Sequence, residues 1–401
     1  MKCKVTNNEI SSFMSFGKMP AANGFLDTKD FKNEFFYEME VGFSDKISLF
    51  QLNKFTSPEN IHNERYPFYT SSSENMKEHF RKYALWLKDN YLKKEKAKLI
   101  EIGSNDGTLL NNFSNTNINY LGIEPSSSVA KQALKNNIKT INIFFNKKNA
   151  ETLTEFKNST DVICAANVIA HIPDLNDLIQ GIDYLLTTKG VFIFEEPYLG
   201  SMFSQVSYDQ IYDEHIYLFS LSSIKKIFNL YDFDLIDAIP QITHGGSIRY
   251  VIGRKKKNTI NKRVNEILDQ EKKNELDNLA SCLNFKRNCE ISKDNIKKTL
   301  TKYKLNGKKI CGYAATAKSS TILNYCKIGN DIIDYICDTT NEKIGKYSPG
   351  MHIPIVSMKE FSNNKSDVAY LFAWNHRKEI FQKEAKFKEN GGVWFSHVKL
   401  D

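Results

Sequence analysis

The sequence predicts an α/β protein with two successive units of alternating strand and helix, a small irregular region before them and a helical stretch between them. Three observations carry this. From residue 98 to 199, apolar runs of strand length alternate with helical patterns; from 308 the alternation begins again; and residues 256–304 contain neither Pro nor Gly. Repeated strand–helix alternation implies mostly parallel, doubly wound sheets.

In chain order, residues 1–70 form a small irregular N-terminal domain with strand-like pieces at 35–41 and 47–52. A helix is expected over 74–93, where Met76, Phe80, Tyr83, Ala84 and Leu87 recur at helical spacing behind the capping run Ser71–Ser73. Residues 71–255 then read as strand LIEIG, a glycine turn and a helix start at TLLNNF; strand NYLGIEP and helix VAKQALKNN; strand VICAANVIA and helix DLNDLIQGIDYLLTT; and strand GVFIFEEPYL. SIRYVIGRK closes that unit as a late strand. Mixed charges with Ile, Leu and Phe at helical spacing over 256–304 predict one or two long helices bridging domains. In the last unit, 256–401 with that linker, KKICGYAAT, DYICD and DVAYLFAWN are strands and STILNYCK a helix.

Composition narrows the function classes. The 401 residues are 41% hydrophobic and 25% charged, as in ordinary globular proteins. No apolar run approaches the ~18 residues of a membrane span, and MKCKVTNNEISSF lacks a signal-peptide core; a cytoplasmic monomer without membrane partners is expected. The seven cysteines are scattered and form no CxxC pair, so neither a disulfide framework nor a zinc ribbon is signalled. The net charge of +8 is largely Lys mixed with Asn, a solvated surface without the aromatic or motif support that nucleic-acid binding requires. A modest positive field also suits a small anionic substrate.

The segment Glu101-Ile102-Gly103-Ser104-Asn105-Asp106-Gly107 joins a buried strand to an expected helix, and a second strand ends at Glu124-Pro125 about 20 residues on. Glycines let backbone approach a ligand, and a carboxylate at that later place can accept ribose hydroxyls, the logic of a Rossmann-like nucleotide fold. The pyrophosphate fingerprint G-x-G-x-x-G is missing. Glu101 and Asp106 would repel a pyrophosphate but suit the amino group of a methionine, which favours S-adenosylmethionine (SAM) over a dinucleotide. Asn167 and His171, at the end of the third strand, fall beside such a cofactor; for His171 a packing role weighs equally.

Tyr212-Asp213-Glu214-His215-Ile216-Tyr217 follows the fourth strand. His is the side chain suited to take a proton near neutrality, and a neighbouring Glu can orient it. On spacing alone this pair reads more readily as a surface loop. His244-Gly245-Gly246-Ser247-Ile248-Arg249 is an anion site or a plain turn. The aromatics of Tyr66-Pro67-Phe68-Tyr69 line a sugar or base pocket, or simply pack. Gly312-Tyr313-Ala314-Ala315-Thr316-Ala317-Lys318-Ser319-Ser320 joins strand to helix with the small residues, hydroxyls and Lys that can hold a phosphate; its glycine spacing is not that of a Walker A loop.

Taken together the chain resembles the three-domain nucleotide-sugar C-methyltransferases, nearly end to end. The markers are MPAANGFL (19–26), YPFYTSSSENMKEHF (66–80), EIGSNDGTLL (101–110), LGIEPS (121–126), ANVIAHIPD (166–174), EEPYL (195–199), YDEHIYLFS (212–220), GGSIRYVIG (245–253), GYAATAKSSTILNY (312–325) and KYSPGMHIPI (346–355). The resemblance implies a central Rossmann-like SAM methyltransferase domain, a second Rossmann-like domain at the C-terminus, and methylation at C3 of a nucleotide-linked 4-keto-deoxysugar. Glu101, Gly103, Ser104, Asn105, Asp106, Glu124, Pro125, Asn167 and His171 would hold SAM. His215 would take the C3 proton, with Glu214 and Tyr69 beside the sugar. Tyr66, Tyr198, Tyr212, Tyr217, His244, Arg249, Tyr313 and Lys318 would face the substrate.

Two departures stand out. The family's N-terminal domain usually carries a zinc site of two Cys-x-x-Cys pairs; here Cys3 is followed by Thr6, and the second pair reads Ser44-Asp45-Lys46-Ile47. One cysteine cannot supply four ligands, so no zinc is expected, and packing of Phe35, Phe36, Phe43, Phe50 and Leu52 is expected to hold the domain. At 319–320, Ser-Ser replaces the common Gly-Asn. O- or N-methylation of a related sugar, or a non-catalytic nucleotide-sugar-binding homologue, are the competing functions.

Overall fold

The computed structural model describes residues 1–61, 68–363 and 366–400. Three sheets organise the described residues. The first is antiparallel: β1 (Ser11–Pro20), β2 (Phe36–Ser44) and β3 (Leu49–Leu52) pair in order. β1 was not foreseen. Its buried residues Phe13, Met14, Phe16 and Met19 break strict alternation because the register with β2 slips between Ser12 and Met14 and again between Ser15 and Gly17. Phe43, Phe50 and Leu52 are buried as expected, but Phe35 and Phe36 are 62% and 42% exposed, because they lie where β2 begins, beyond the shared core. Around Cys3 the chain is tied by backbone: Gln51 accepts from the Lys4 N–H at 3.0 Å and donates to the Lys2 carbonyl at 3.0 Å.

The central sheet has seven strands: β4 (Lys98–Ile102), β5 (Asn119–Ile123), β6 (Thr140–Ile141), β7 (Thr160–Ala166), β8 (Leu186–Pro197), and, after the short β9 (Tyr217–Leu218), β10 (Phe233–Gln241) and β11 (Ser247–Arg254). Its order is β10-β11-β8-β7-β4-β5-β6, with β11 antiparallel between β8 and β10 and the rest parallel. β9 leaves this sheet and pairs with β3, tying the loop that carries Glu214 and His215 to the N-terminal sheet. Ile100, Ile102, Ile163 and Phe192 pack on one face against the helices Leu175–Leu185 and Leu221–Asn229; Leu99, Val162 and Ile193 pack on the other against the helix Glu74–Asn90. Strands buried on both faces explain the continuous apolar runs.

The third sheet is wholly parallel, β12 (Ile310–Tyr313), β13 (Tyr335–Asp338), β14 (Ile355–Ser357), β15 (Val368–Leu371) and β16 (Val393–Phe395), in order β14-β13-β12-β15-β16. The linker forms two helices, Lys262–Lys273 and Leu279–Leu305. The second shares a core with both flanking sheets: Phe285 and Leu300 pack in one cluster with Phe13, Phe16, Ile310 and Ile322. In both α/β units the first strand sits between strands whose connections run opposite ways, so a crevice opens at its carboxyl end. No helix among the described residues is long and apolar enough to cross a membrane.

Candidate active site

β4 delivers Glu101 and then turns sharply. Gly103, Asn105 and Gly107 all take positive φ, +68°, +50° and +80°. At Gly103 a Cβ would lie 2.3 Å from the Val168 side chain, so only glycine fits. The helix expected at 108 is only a 3-10 turn, Leu110–Phe113. Asn112 donates to the Thr108 and Leu109 carbonyls, and Ser114 and Thr116 hydroxyls take those of Asn111 and Phe113, so side chains consume the acceptors a helix would use.

Glu124, at the end of β5, accepts from the Asn105 N–H at 2.9 Å and the Ser126 N–H at 2.7 Å, bridging the two crevice loops. Burial pushes its carboxyl up, and does so more strongly at Glu101, where Asp106 and Glu124 add repulsion. Glu101 Oε2 and Asn167 Oδ1 are buried without a hydrogen-bond partner. The crevice thus has surplus acceptors, and carboxyls whose ionisation burial and repulsion disfavour until a ligand ammonium satisfies them; the residues fit the methionine end of SAM, with Glu124 toward a ribose. Gly103, Ser104, Pro125 and His171 line the same cavity. Ser104 packs its side chain over Gly122.

Asp106 corrects the expectation. Its carboxylate accepts from the Ser71 N–H at 2.9 Å and the Thr108 hydroxyl at 2.6 Å, and it does not line the cavity. The unpaired amides opening the 3-10 turn Thr70–Ser72 draw it away. Asn105 lines the cavity, yet its side chain is also engaged, accepting from the Thr70 N–H at 2.9 Å and donating to the Phe68 carbonyl at 3.1 Å.

Two adjacent glutamates of β8, not singled out from the sequence, shape the site from behind. Glu196 Oε1 accepts from three successive amides, Val168 (2.9 Å), Ile169 (2.6 Å) and Ala170 (3.1 Å), fixing the turn between Asn167 and His171. Burial pushes its carboxyl up to about 8 despite those bonds. Glu195 is held by His79 at 2.6 Å and by Arg249 at 2.5–2.7 Å; against the burial penalty these keep its carboxyl below the usual range.

His215 is buried at the middle of the cavity. Its Nδ1 lies 2.7 Å from the Gln210 carbonyl, which can only accept, so Nδ1 carries the proton and Nε2 faces the Tyr212 hydroxyl at 2.8 Å. Burial, with the charge of Lys318, lowers its pKa to about 4, so the imidazole is neutral. The His171 ring stands edge-on, 5.2 Å away. Glu214 accepts from Asn23 Nδ2 at 2.5 Å, and burial followed by repulsion from Asp213 pushes it up to about 8. Asn23 belongs to the N-terminal unit, where the Ala22 N–H donates to Asp213 at 3.1 Å and the Ala22 carbonyl accepts from Ser320 at 2.7 Å. Ser320 therefore serves contact between units, whereas Ser319 bonds locally to the Thr316 carbonyl. Tyr69 lines the cavity.

The C-terminal crevice repeats the frame of the central one. Asp338 closes β13 and accepts from the Ala315 N–H at 2.6 Å and the Thr340 N–H at 2.7 Å. Here the unpaired group is a donor: Lys318 Nζ is buried without a hydrogen-bond partner, 4.9 Å over the Trp374 ring. Burial lowers its pKa and Asp209 opposes. His244, in the left-handed region at φ +53°, and Lys343 also line the cavity.

Four residues expected at the substrate are used elsewhere, because each finds a partner within the fold. Arg249 meets an anion, but it is Glu195, with its guanidinium stacked 3.9 Å from the Tyr83 ring. Tyr217 donates to the Pro173 carbonyl at 2.6 Å, Tyr313 to Glu384 at 2.9 Å, and Tyr198 is drawn to Glu271. None lines the cavity. Tyr66 lies outside the described residues. The cavity, about 700 Å³, joins both crevices with Glu214 and His215 between them.

Residues 75–238 match the methyltransferase domain family and residues 242–398 match the C-methyltransferase C-terminal domain family. The C-methyltransferase NovU of Streptomyces niveus is 27% identical over 394 residues, 98% of this chain and 94% of the relative. Among solved structures, a putative methyltransferase in complex with the Trm112 methyltransferase activator of Haloferax volcanii aligns with TM-score 0.37 at 14% identity, over 46% of this chain and 93% of that one. Magnesium protoporphyrin IX methyltransferase of Synechocystis PCC 6803 aligns with TM-score 0.33 at 13% identity, over 45% of this chain and 79% of that one. The two matched domains and the relative that spans the chain support a C-methyltransferase family, and the chain is a SAM-dependent methyltransferase.

Proposed function

We propose that the enzyme methylates C3 of a nucleotide-linked 4-keto-deoxysugar. The observation that carries this is the position of His215: a buried, neutral imidazole with its Nε2 turned into a cavity that joins an acid-rich crevice to one bearing an unpaired lysine. In this reading residues 71–255 hold the cofactor through Glu101, Gly103, Glu124 and Asn167. Residues 256–401 hold the diphosphate handle through Lys318, and residues 1–70 close the acceptor side through Asn23. When bound, SAM would supply an electrophilic methyl group and leave as a neutral thioether.

The chain's own residues do the rest. His215 Nε2, released from the Tyr212 hydroxyl as substrate enters, takes the C3 proton; the C–H electrons pass to the C4 ketone, giving an enolate whose C3 is the nucleophile. Nδ1 stays anchored on the Gln210 carbonyl, so the imidazolium keeps its aim. Lys318 and Lys343 offset the negative charge that builds in the cavity. Glu214, held protonated near neutrality by burial, donates a hydrogen bond toward the sugar and adds no repulsion. Holding carbon and methyl at near-attack distance is the main physical task.

The test is incubation with SAM and a panel of nucleotide 4-keto-deoxysugars, in deuterated and ordinary water, with product mass and NMR as readouts. A C-methyl at C3, with C3 deuterium exchange in the absence of the methyl donor, is expected. An O- or N-methyl product without C3 exchange overturns C-methylation, and tight SAM binding without transfer to any sugar overturns catalysis.

A further inference from the structure

Three backbone groups of the segment that bears Tyr69 are bonded to side chains of the β4 turn. The Thr70 N–H donates to Asn105 Oδ1 at 2.9 Å, the Phe68 carbonyl accepts from Asn105 Nδ2 at 3.1 Å, and the Ser71 N–H donates to Asp106 Oδ2 at 2.9 Å. The segment's own structure is slight: the 3-10 turn Thr70–Ser72 follows, then the Ser73 cap of the helix Glu74–Asn90. Phe68 is half exposed. What holds Tyr69 over the cavity from this side is therefore the turn.

The same turn is bonded to Glu124, through the Asn105 N–H at 2.9 Å. Asn105 takes its positive φ of +50° between Gly103 and Gly107, which directs its amide to Glu124 and its side chain to the segment. One residue thus stands between the carboxylate facing the cofactor crevice and the backbone carrying an acceptor-side tyrosine.

We infer that Asn105 and Asp106 are positioning residues that clamp the Phe68–Ser73 segment to the cofactor turn, so that filling the cofactor crevice orders the acceptor side. The Tyr69 half of this inference rests on the proposed acceptor; the clamp does not. Coupling of this kind is reciprocal: a ligand that steadies Glu124 and the turn steadies the segment, and loss of the clamp separates the two sites. Acceptor affinity then depends on the cofactor, and cofactor affinity on the acceptor by the same factor.

The clean variant is Asn105→Gly. Glycine adopts the same positive φ at no cost and keeps the amide to Glu124, so only the side-chain clamp is removed. Asn105→Gly/Asp106→Ala removes both halves. Backbone amide exchange of Thr70 and Ser71, measured on the full chain with and without S-adenosylhomocysteine, reads the clamp without any acceptor. In wild type the homocysteine compound is expected to slow exchange at both amides; in the double variant that protection is lost while calorimetric affinity for the compound changes less than about threefold. With a turned-over keto-sugar, the acceptor KM rises about tenfold, the scale of one or two lost hydrogen bonds, while SAM affinity in the absence of acceptor stays put. Three results overturn the inference: equal loss of homocysteine-compound affinity, which makes the two residues cofactor ligands; unchanged protection at Thr70 and Ser71 in the double variant; or no response of wild-type exchange to the compound. If no keto-sugar is methylated by wild type, the acceptor reading fails, and the exchange experiment still decides the clamp.

Discussion

The two crevices of this enzyme share a backbone frame and differ in what they leave unpaired. At the end of β5 Glu124 bridges the Asn105 and Ser126 amides; at the end of β13 Asp338 bridges the Ala315 and Thr340 amides. In each case the carboxylate accepts from the loop of the preceding strand and from the residue two places on. Beyond that frame the charges diverge. The central crevice holds the unpartnered acceptors Glu101 Oε2 and Asn167 Oδ1; the C-terminal one holds the unpartnered donor Lys318 Nζ. Unpaired buried groups are costly and state what a ligand must supply: a cation with donors on one side, an anion on the other. The fold provides a switch-point crevice twice, and side-chain chemistry assigns each its ligand.

The largest effect is expected at the residue between the crevices. His215→Ala should lower kcat about 10²–10⁴-fold, the usual share of a positioned base, while S-adenosylhomocysteine affinity by calorimetry stays near wild type. Near wild-type turnover would remove His215 from the chemistry. The next pair of variants sharpens the division of labour. Glu101→Gln should weaken S-adenosylhomocysteine about 10–100-fold, the value of a charge-assisted hydrogen bond in a buried site, and leave UDP and thymidine diphosphate binding unchanged. Lys318→Met should do the reverse by a similar factor. Variants that each weaken both ligands equally would break the comparison. Smaller again is Glu196→Ala. It strips three buried amides of their acceptor and should cost about 1–3 kcal/mol of stability by denaturant titration, whereas Glu196→Gln keeps the accepting oxygen and should cost little.

The inner parallel strands of both α/β units were legible because buried parallel strands write themselves as short apolar runs between turn residues, whereas β6, β10, β14 and β16 were not read from the sequence. β1 was not, since its two register slips put Phe13 and Met14 side by side in the core. The helix after the β4 turn was misread because Asn112, Ser114 and Thr116 favour backbone carbonyls over helix continuation. At the site, the glycine turn, Glu124 and the Glu214-His215 pair could be found as local motifs. Asn23, 191 residues from Glu214, could not. Nor could the fate of Arg249, because an arginine awaiting a substrate anion and one neutralising Glu195 have the same sequence. The EEPYL stretch did carry a signal: two adjacent carboxylates at a strand end need buried partners on both faces of the sheet, which Glu195 and Glu196 have.

The smallest prediction bears on Glu214, which stands where the two crevices meet. Its carboxyl titrates near 4.5 when free and is pushed up to about 8 in the fold, by burial first and Asp213 second. Between those values the folded chain holds a proton that the unfolded chain has lost. The contribution to stability is therefore complete below about pH 4.5 and drains away as pH rises through 8. Glu214→Gln cannot ionise, and it keeps the oxygen that accepts from Asn23. Thermal unfolding of the two proteins should give the variant its greatest advantage at pH 9, a smaller one at pH 7 and none at pH 4.5. An advantage that grows instead toward acid would mean the carboxylate is ionised in the fold, paired with Lys343 rather than kept neutral between two sites of opposite charge.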